Sequence, residues 1–130
     1  MPTENVAEKD ERTSTQAPRF LPLATISVRL EGTSLSPRSP RDPVFGILSN
    51  MSLTGACVIT NHALTVDTTV ELTIENRAAP VKLPARIVWS AERMEPVKEI
   101  VGFLTGVRFE AESKETIEKL LSSGIFQLVP

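Results

Sequence analysis

The chain has 130 residues and a mass of 14.2 kDa, which is the size of one compact domain. Because 41% of the residues are hydrophobic and 23% are charged, the composition excludes a wholly disordered or fibrous chain. A net charge of −2 disfavours a general binder of DNA or RNA, and no apolar run is long enough to insert into a membrane. The single cysteine excludes an intrachain disulfide and favours a reducing, cytoplasmic location.

The chain begins with a polar segment that differs in character from the rest of the sequence. Residues 1–17 lack periodic apolar positions, so they predict a flexible tail in front of one domain over residues 18–130. Charge is also unevenly placed, because residues 12–41 hold five arginines and only one acid. Arginine offers a planar fork of donors that suits phosphates, although scattered arginines on a solvated stretch explain the same charge.

Six short strands are predicted from alternating or continuous apolar residues. They fall at 26–30, 44–48, 56–60, 70–74, 81–89 and 103–109. Trp89, Phe103 and Phe109 fit the inward faces of their strands, so we expect all three in the core. Pro84 falls on an outward position, which indicates an edge strand or a bulge.

One helix is predicted near the end of the chain. Ser113 is the expected cap, Ile117, Leu120 and Leu121 form an apolar stripe, and Gly124 ends the helix. Six short strands and one late helix are typical of an antiparallel barrel or sandwich, and a barrel is attractive because it leaves no exposed edge.

Catalytic chemistry finds little support in the sequence. His62 lies in a predicted loop without a neighbouring nucleophile, and Cys57 lies inside an apolar strand, where it behaves as a small hydrophobic residue. Neither a phosphate-binding loop nor a dinucleotide fingerprint is present. We therefore expect a protein that is not an enzyme and that needs no metal or cofactor.

The predicted turn at residues 49–55 is the most informative stretch. Asn50 and Ser52 present short donors and acceptors, and Gly55 permits a tight turn or the close approach of a ligand. Such a turn can read the polar edge of a ring. It can equally be a plain turn whose side chains bond only their own backbone.

Context favours the first interpretation. The segment LSNMSLTGACVI resembles the [D/N]-x-S-x-x-G signature of PilZ domains, bacterial receptors for cyclic di-GMP. Arg19-Phe20 precedes the first predicted strand, where that family carries its arginine motif. VKLPARIVWS and Gly106–Phe109 resemble later strands of the family in the same order.

The resemblance implies a mainly β fold, namely a small antiparallel six-stranded split β-barrel with a C-terminal α-helix. It implies that Asn50 and Ser52 contact a guanine edge, that Gly55 shapes the turn, and that Arg19 is the second arginine of an R-x-x-x-R motif. The first arginine of that motif would stand at position 15, which is Thr15. Arg12 is the nearest upstream arginine and a candidate ligand contact; Arg38 and Arg41 are further candidates.

Two functional hypotheses result. In the first, the chain is a cyclic di-GMP receptor or effector, and binding orders the N-terminal arginine segment on the barrel and creates a surface for a protein partner. In the second, the chain is a degenerate PilZ-like adaptor that no longer binds the ligand and acts through protein contacts; Thr15 motivates this alternative.

Overall fold

The computed structural model describes residues 18–32, 43–75, 79–94 and 100–129. The predicted tail over residues 1–17, the Pro-rich loop that carries Arg38 and Arg41, and the loop around Pro96 lie outside the described residues. The strands are β1 (Phe20–Pro22), β2 (Ser27–Glu31), β3 (Val44–Met51), β4 (Gly55–Thr60), β5 (Thr69–Ile74), β6 (Val81–Met94), β7 (Ile100–Phe109) and β8 (Phe126–Leu128). A 3-10 turn (Ala111–Ser113) leads into the helix α1 (Lys114–Leu121).

Strands β2 to β7 close into a barrel. Their order is β2-β5-β6-β7-β4-β3, and β3 pairs back with β2, so each of the six has a partner on both sides. All neighbouring pairs are antiparallel. The predicted six-stranded antiparallel barrel with a late helix is therefore confirmed, and the sandwich alternative is wrong.

Two short strands were not predicted. β1 pairs with β8 along all three of its residues and touches β3 through Phe20 and Met51. Three-residue strands are too short to show a hydrophobic period, which explains why the sequence pattern missed them. Their consequence is that the residues directly before the barrel are tied to it.

The core fills the barrel and continues under the helix. Buried residues alternate as predicted along β2 and the first half of β6, and the helix adds its stripe Ile117, Leu120 and Leu121. Ser113 stands at the cap position, but its side chain makes no capping hydrogen bond, so that part of the prediction is wrong. Gly124 follows the helix with a φ of 97°, a conformation that suits glycine. No helix in the described ranges is long and apolar enough to cross a membrane.

Two of the three aromatic residues expected in the core lie outside it. Phe109 is buried, as predicted, whereas Trp89 and Phe103 are only half-buried. The register of β6 against β7 shifts between Ile87 and Trp89, so the side chain after the shift faces outward. A β-bulge thus moved Trp89 from the core to the surface.

Pro84 is exposed as predicted, but for a different reason. It pairs with Glu71 of β5 in the regular part of β6, so it lies neither on an edge strand nor at a bulge. On its other side, β6 pairs with β7 only from Ala85 onward, and Ala85 lies opposite Phe109. Pro84 lies just outside this paired region, where its carbonyl accepts a long bond of 3.4 Å from Glu110 N. The missing proline N–H therefore lies beyond the end of that paired region and removes no bond from it.

Candidate functional site

A bulge in β3 sets the position of Asn50. The register between β3 and β4 shifts between Leu48 and Asn50, and Ser49 is the extra residue. As a result Asn50 is half-buried beside Cys57, while Met51 is fully buried. The sequence pattern had placed Asn50 in a turn, whereas the structure places it in β3. The bulge aims its amide at the outside of the barrel.

Arg19 meets Asn50 directly. Its Nη1 donates a hydrogen bond of 3.0 Å to Asn50 Oδ1, and the pair is exposed. The Arg19 backbone is held as well, because its carbonyl accepts a 2.9 Å bond from Val129 N. Arg19 is therefore anchored by the fold itself through the β1–β8 pair. The hypothesis that ligand binding orders the N-terminal arginine segment therefore does not hold for Arg19, which the fold already positions.

Ser52 builds the turn that joins β3 to β4, which we call the corner turn (residues 52–54). Its side chain is buried, and Oγ accepts bonds from the N–H of Thr54 at 3.2 Å and of Gly55 at 3.3 Å. The backbone N–H of Ser52 donates to the Gly55 carbonyl at 2.8 Å, which closes the turn. The hydroxyl thus bonds its own turn, the alternative that the sequence left open.

Gly55 is required by strand packing. A Cβ added there would come within 2.4 Å of the Val107 carbonyl oxygen on β7, far inside van der Waals contact. Gly55 has no positive φ, so the turn itself does not demand glycine. The space beside its Cα holds β7 backbone, which leaves no room on that side for a ligand.

A row of paired residues extends from Asn50 across three neighbouring strands. Cys57 lies between Asn50 of β3 and Gly106 of β7, and Gly106 pairs with Trp89 of β6. The Trp89 ring covers Gly106 so closely that a Cβ there would meet its Nε1 at 2.3 Å. We call this row, from Asn50 across Cys57 and Gly106 to Trp89, the outer face.

Electrostatics connect Arg19 with the outer face. Burial raises the pKa of the Cys57 thiol, and the positive charge of Arg19 partly lowers it. The guanidinium therefore acts on β4 as well as on Asn50. A nucleophilic role gains nothing from this environment, since a raised pKa keeps the thiol protonated.

The structure thus brings Arg19 and Asn50 into contact and places Ser52 and Gly55 in the adjoining turn, whereas Arg12 lies outside the described residues. Sequence reasoning missed Trp89 and Arg108, which stand on the same side of the barrel. The alternation in Gly106–Phe109 already put Arg108 outward, and that was the available signal. In the described ranges, no three His, Cys, Asp or Glu residues form a group that could hold a metal ion.

The same fold occurs in other solved structures. Among solved structures, the chain resembles the PilZ domain of YcgR from Escherichia coli, a structure with c-di-GMP (TM-score 0.66, 13% identity, 85% of this chain and 90% of that one). It also resembles the PilZ domain of CeSA from a cellulose-synthesizing bacterium (TM-score 0.54, 20% identity, 80% and 95%). A third is the inhibitor of motility MotI/DgrA of Bacillus subtilis (TM-score 0.52, 14% identity, 85% and 53%).

At these identities the structural likeness shows the fold alone, so the family rests on the sequence. A search of curated proteins finds no significant match. The profile of the PilZ domain, by contrast, matches residues 13–127, which is most of the chain. That match spans β1 and the barrel and includes Arg19, Asn50, Ser52 and Gly55. The chain belongs to the PilZ domain family.

Proposed function

We propose that the chain is a receptor module for cyclic di-GMP and that it acts by binding and not by catalysis, without a cofactor. The hydrogen bond of 3.0 Å between Arg19 and Asn50 carries the proposal, because it joins two residues 31 positions apart at one exposed site. Family membership and the c-di-GMP in the YcgR domain support the choice of ligand.

The chemistry of the pair suits this ligand, which carries two negative phosphates and two guanine rings. The Arg19 guanidinium can donate two parallel bonds to a phosphate and can stack its flat face on a purine. The Asn50 amide offers both a donor and an acceptor to a guanine edge. Exchanging one exposed Arg19–Asn50 bond for ligand contacts costs little, because that bond already competes with water.

Ser52 and Gly55 support the site in a different way. A direct guanine contact of Ser52 stays a prediction, and its two backbone bonds favour a role in holding the corner turn. Gly55 then lets β4 approach β7. Both residues stiffen the end of β3, so the Asn50 amide reaches the ligand already oriented.

Signalling output requires a change on binding. We propose that the ligand draws the segment before residue 18, including Arg12, onto the barrel and so presents a new surface to a protein partner in the cytoplasm. The docked Arg19 limits this ordering to the residues that precede it.

Competition binding with a fluorescent cyclic di-GMP tests the assignment. Arg19→Ala and Asn50→Ala should each weaken binding, the first by roughly ten- to a hundredfold, the effect of losing one charge-assisted contact of about 1.5–3 kcal/mol. Lys82→Ala is the matched control, because this exposed cation lies near the start of β6, seven residues before Trp89. Equal affinities for the Arg19→Ala variant and the unmodified chain would reject the site.

The adaptor alternative is favoured by one observation, the threonine at position 15 in place of the first motif arginine. It predicts a protein partner that is captured equally with and without cyclic di-GMP. Strict dependence of capture on the ligand would reject the adaptor and support the receptor.

A further inference from the structure

A second arginine lies beside the corner turn, outside the motif that defines the site. Arg108 is exposed on β7 and lies opposite Gly55 of β4. The next residue, Phe109, donates its backbone N–H to the Thr54 carbonyl at 2.8 Å. The end of β7 is therefore tied to the corner turn, and the backbone position of Arg108 relative to that turn is fixed.

Arg19 approaches the same surface from the opposite side. Its guanidinium bonds Asn50 on β3, and its charge lowers the pKa of the Cys57 thiol on β4. Cys57 lies opposite Gly106, two residues before Arg108. Arg19 directly precedes β1, which pairs with β3, so three strand spacings, or about 14 Å, separate its backbone from β7. One arginine thus stands on each side of β4.

An aromatic ring borders the surface that they flank. The Trp89 ring lies over Gly106 of β7. Backbone and an indole ring form a surface on which a purine can stack.

A second cation lies on the neighbouring strand β6. Arg86 of β6 lies directly opposite Arg108, and like charges in such a pair repel. The Arg86 Nη1 is bonded to the Asp67 carbonyl at 3.1 Å, so this guanidinium is held toward the loop before β5. Arg86 therefore serves as the charge-matched control for Arg108.

We propose that Arg108 is a second cationic contact for the dinucleotide, which it holds together with Arg19 across the outer surface of β4. The inference rests on the proposed function and extends it. With Thr15 in the motif, the N-terminal segment offers one motif arginine against two phosphates. Arg108 supplies positive charge from the barrel itself.

Calorimetric titration with cyclic di-GMP tests the proposal on Arg108→Gln. We expect affinity to fall about tenfold or more, with the melting temperature unchanged, since the residue is exposed. Arg86→Gln removes the same charge one strand away and should change affinity less than about threefold. Unchanged affinity in Arg108→Gln overturns the proposal, and so does an equal loss in both variants, which would indicate general electrostatics.

A second variant covers the case in which Arg108→Gln lowers the melting temperature. Arg108→Lys keeps the charge but not the planar fork, so it should bind more weakly than the unmodified chain and more tightly than the glutamine variant. Equal affinity of the lysine and glutamine variants overturns the proposal. If the unmodified folded chain binds no cyclic di-GMP, the proposed function itself fails. That result differs from the two outcomes that would overturn the role of Arg108 alone, because in those the unmodified chain still binds.

Discussion

Replacing Ser52 by alanine tests how the corner turn is built. Ser52 is only 2% exposed, and its Oγ accepts bonds of 3.2 and 3.3 Å from the N–H groups of Thr54 and Gly55. Alanine leaves both part-buried donors without this partner. Leaving one buried donor unpaired costs about 1–3 kcal/mol, and these two bonds are long. We expect the free energy of unfolding to fall by about 2 kcal/mol.

Urea denaturation followed by circular dichroism measures this change, and thermal melting should show a fall of about 8 °C for a domain of this size. Ser122→Ala is the matched control. Its hydroxyl likewise bonds the backbone, here by donating to the Glu118 carbonyl at 2.8 Å, but at an exposed helix end. The control should lose less than about 0.5 kcal/mol. An equal loss in the two variants, or a negligible one in Ser52→Ala, would refute the hydrogen-bond reasoning.

Other consequences can be measured directly. In urea denaturation, Arg19→Ala should change the free energy of unfolding by less than about 0.5 kcal/mol from that of the unmodified chain, because the residue is exposed. In a thiol titration, the same variant should raise the pKa of the Cys57 thiol further. An unchanged pKa would contradict the placement of the guanidinium. Burial raises the pKa of the Cys57 thiol in the folded state above its unfolded value, so this thiol contributes stability below about pH 8.5 and loses that contribution as the pH rises further. Denaturation at several pH values should show this fall in stability. Cys57→Ala should remove the pH dependence. Gly55→Ala should lower the free energy of unfolding by about 3 kcal/mol, since its Cβ would meet the Val107 carbonyl; near-native stability would show that β4 and β7 can separate. Cyclic di-GMP should alter the fluorescence of Trp89, the single tryptophan, and a saturating ligand without any spectral change would put the ligand elsewhere.

Much of the fold could be predicted from local pattern. Strands with strict alternation, such as the one around Val28 and Leu30, were placed correctly because one face is buried and the other is at least partly exposed. The helix was recognised from its apolar stripe for the same reason. The barrel closes where β2 pairs with β3, and the sequence of the loop between these strands gives no signal for that pairing. The prediction of a closed barrel therefore came from the family resemblance and not from periodicity.

The errors have a common physical origin in irregular backbone. A bulge adds one residue and reverses the facing of all later residues in the strand, which alternation alone does not reveal. Trp89 was assigned to the core and Asn50 to a turn because of such bulges in β6 and β3. Irregular backbone is therefore what builds the outer face.

The candidate site was predictable in part. Arg19 and Asn50 were identified from motif residues, and the structure brings them into contact. The reason for Gly55 was wrong in the sequence interpretation, because the carbonyl that excludes a side chain comes from β7, more than fifty positions away. Arg108 had no motif to mark it, and only the register of β7 against β4 brings it to the corner turn.

Calorimetric titration of the unmodified chain with cyclic di-GMP tests the receptor assignment most directly. We predict saturable heat in the micromolar range or below, lost or strongly reduced when Arg19 is alanine. A folded protein that gives no heat with high micromolar ligand would contradict the assignment.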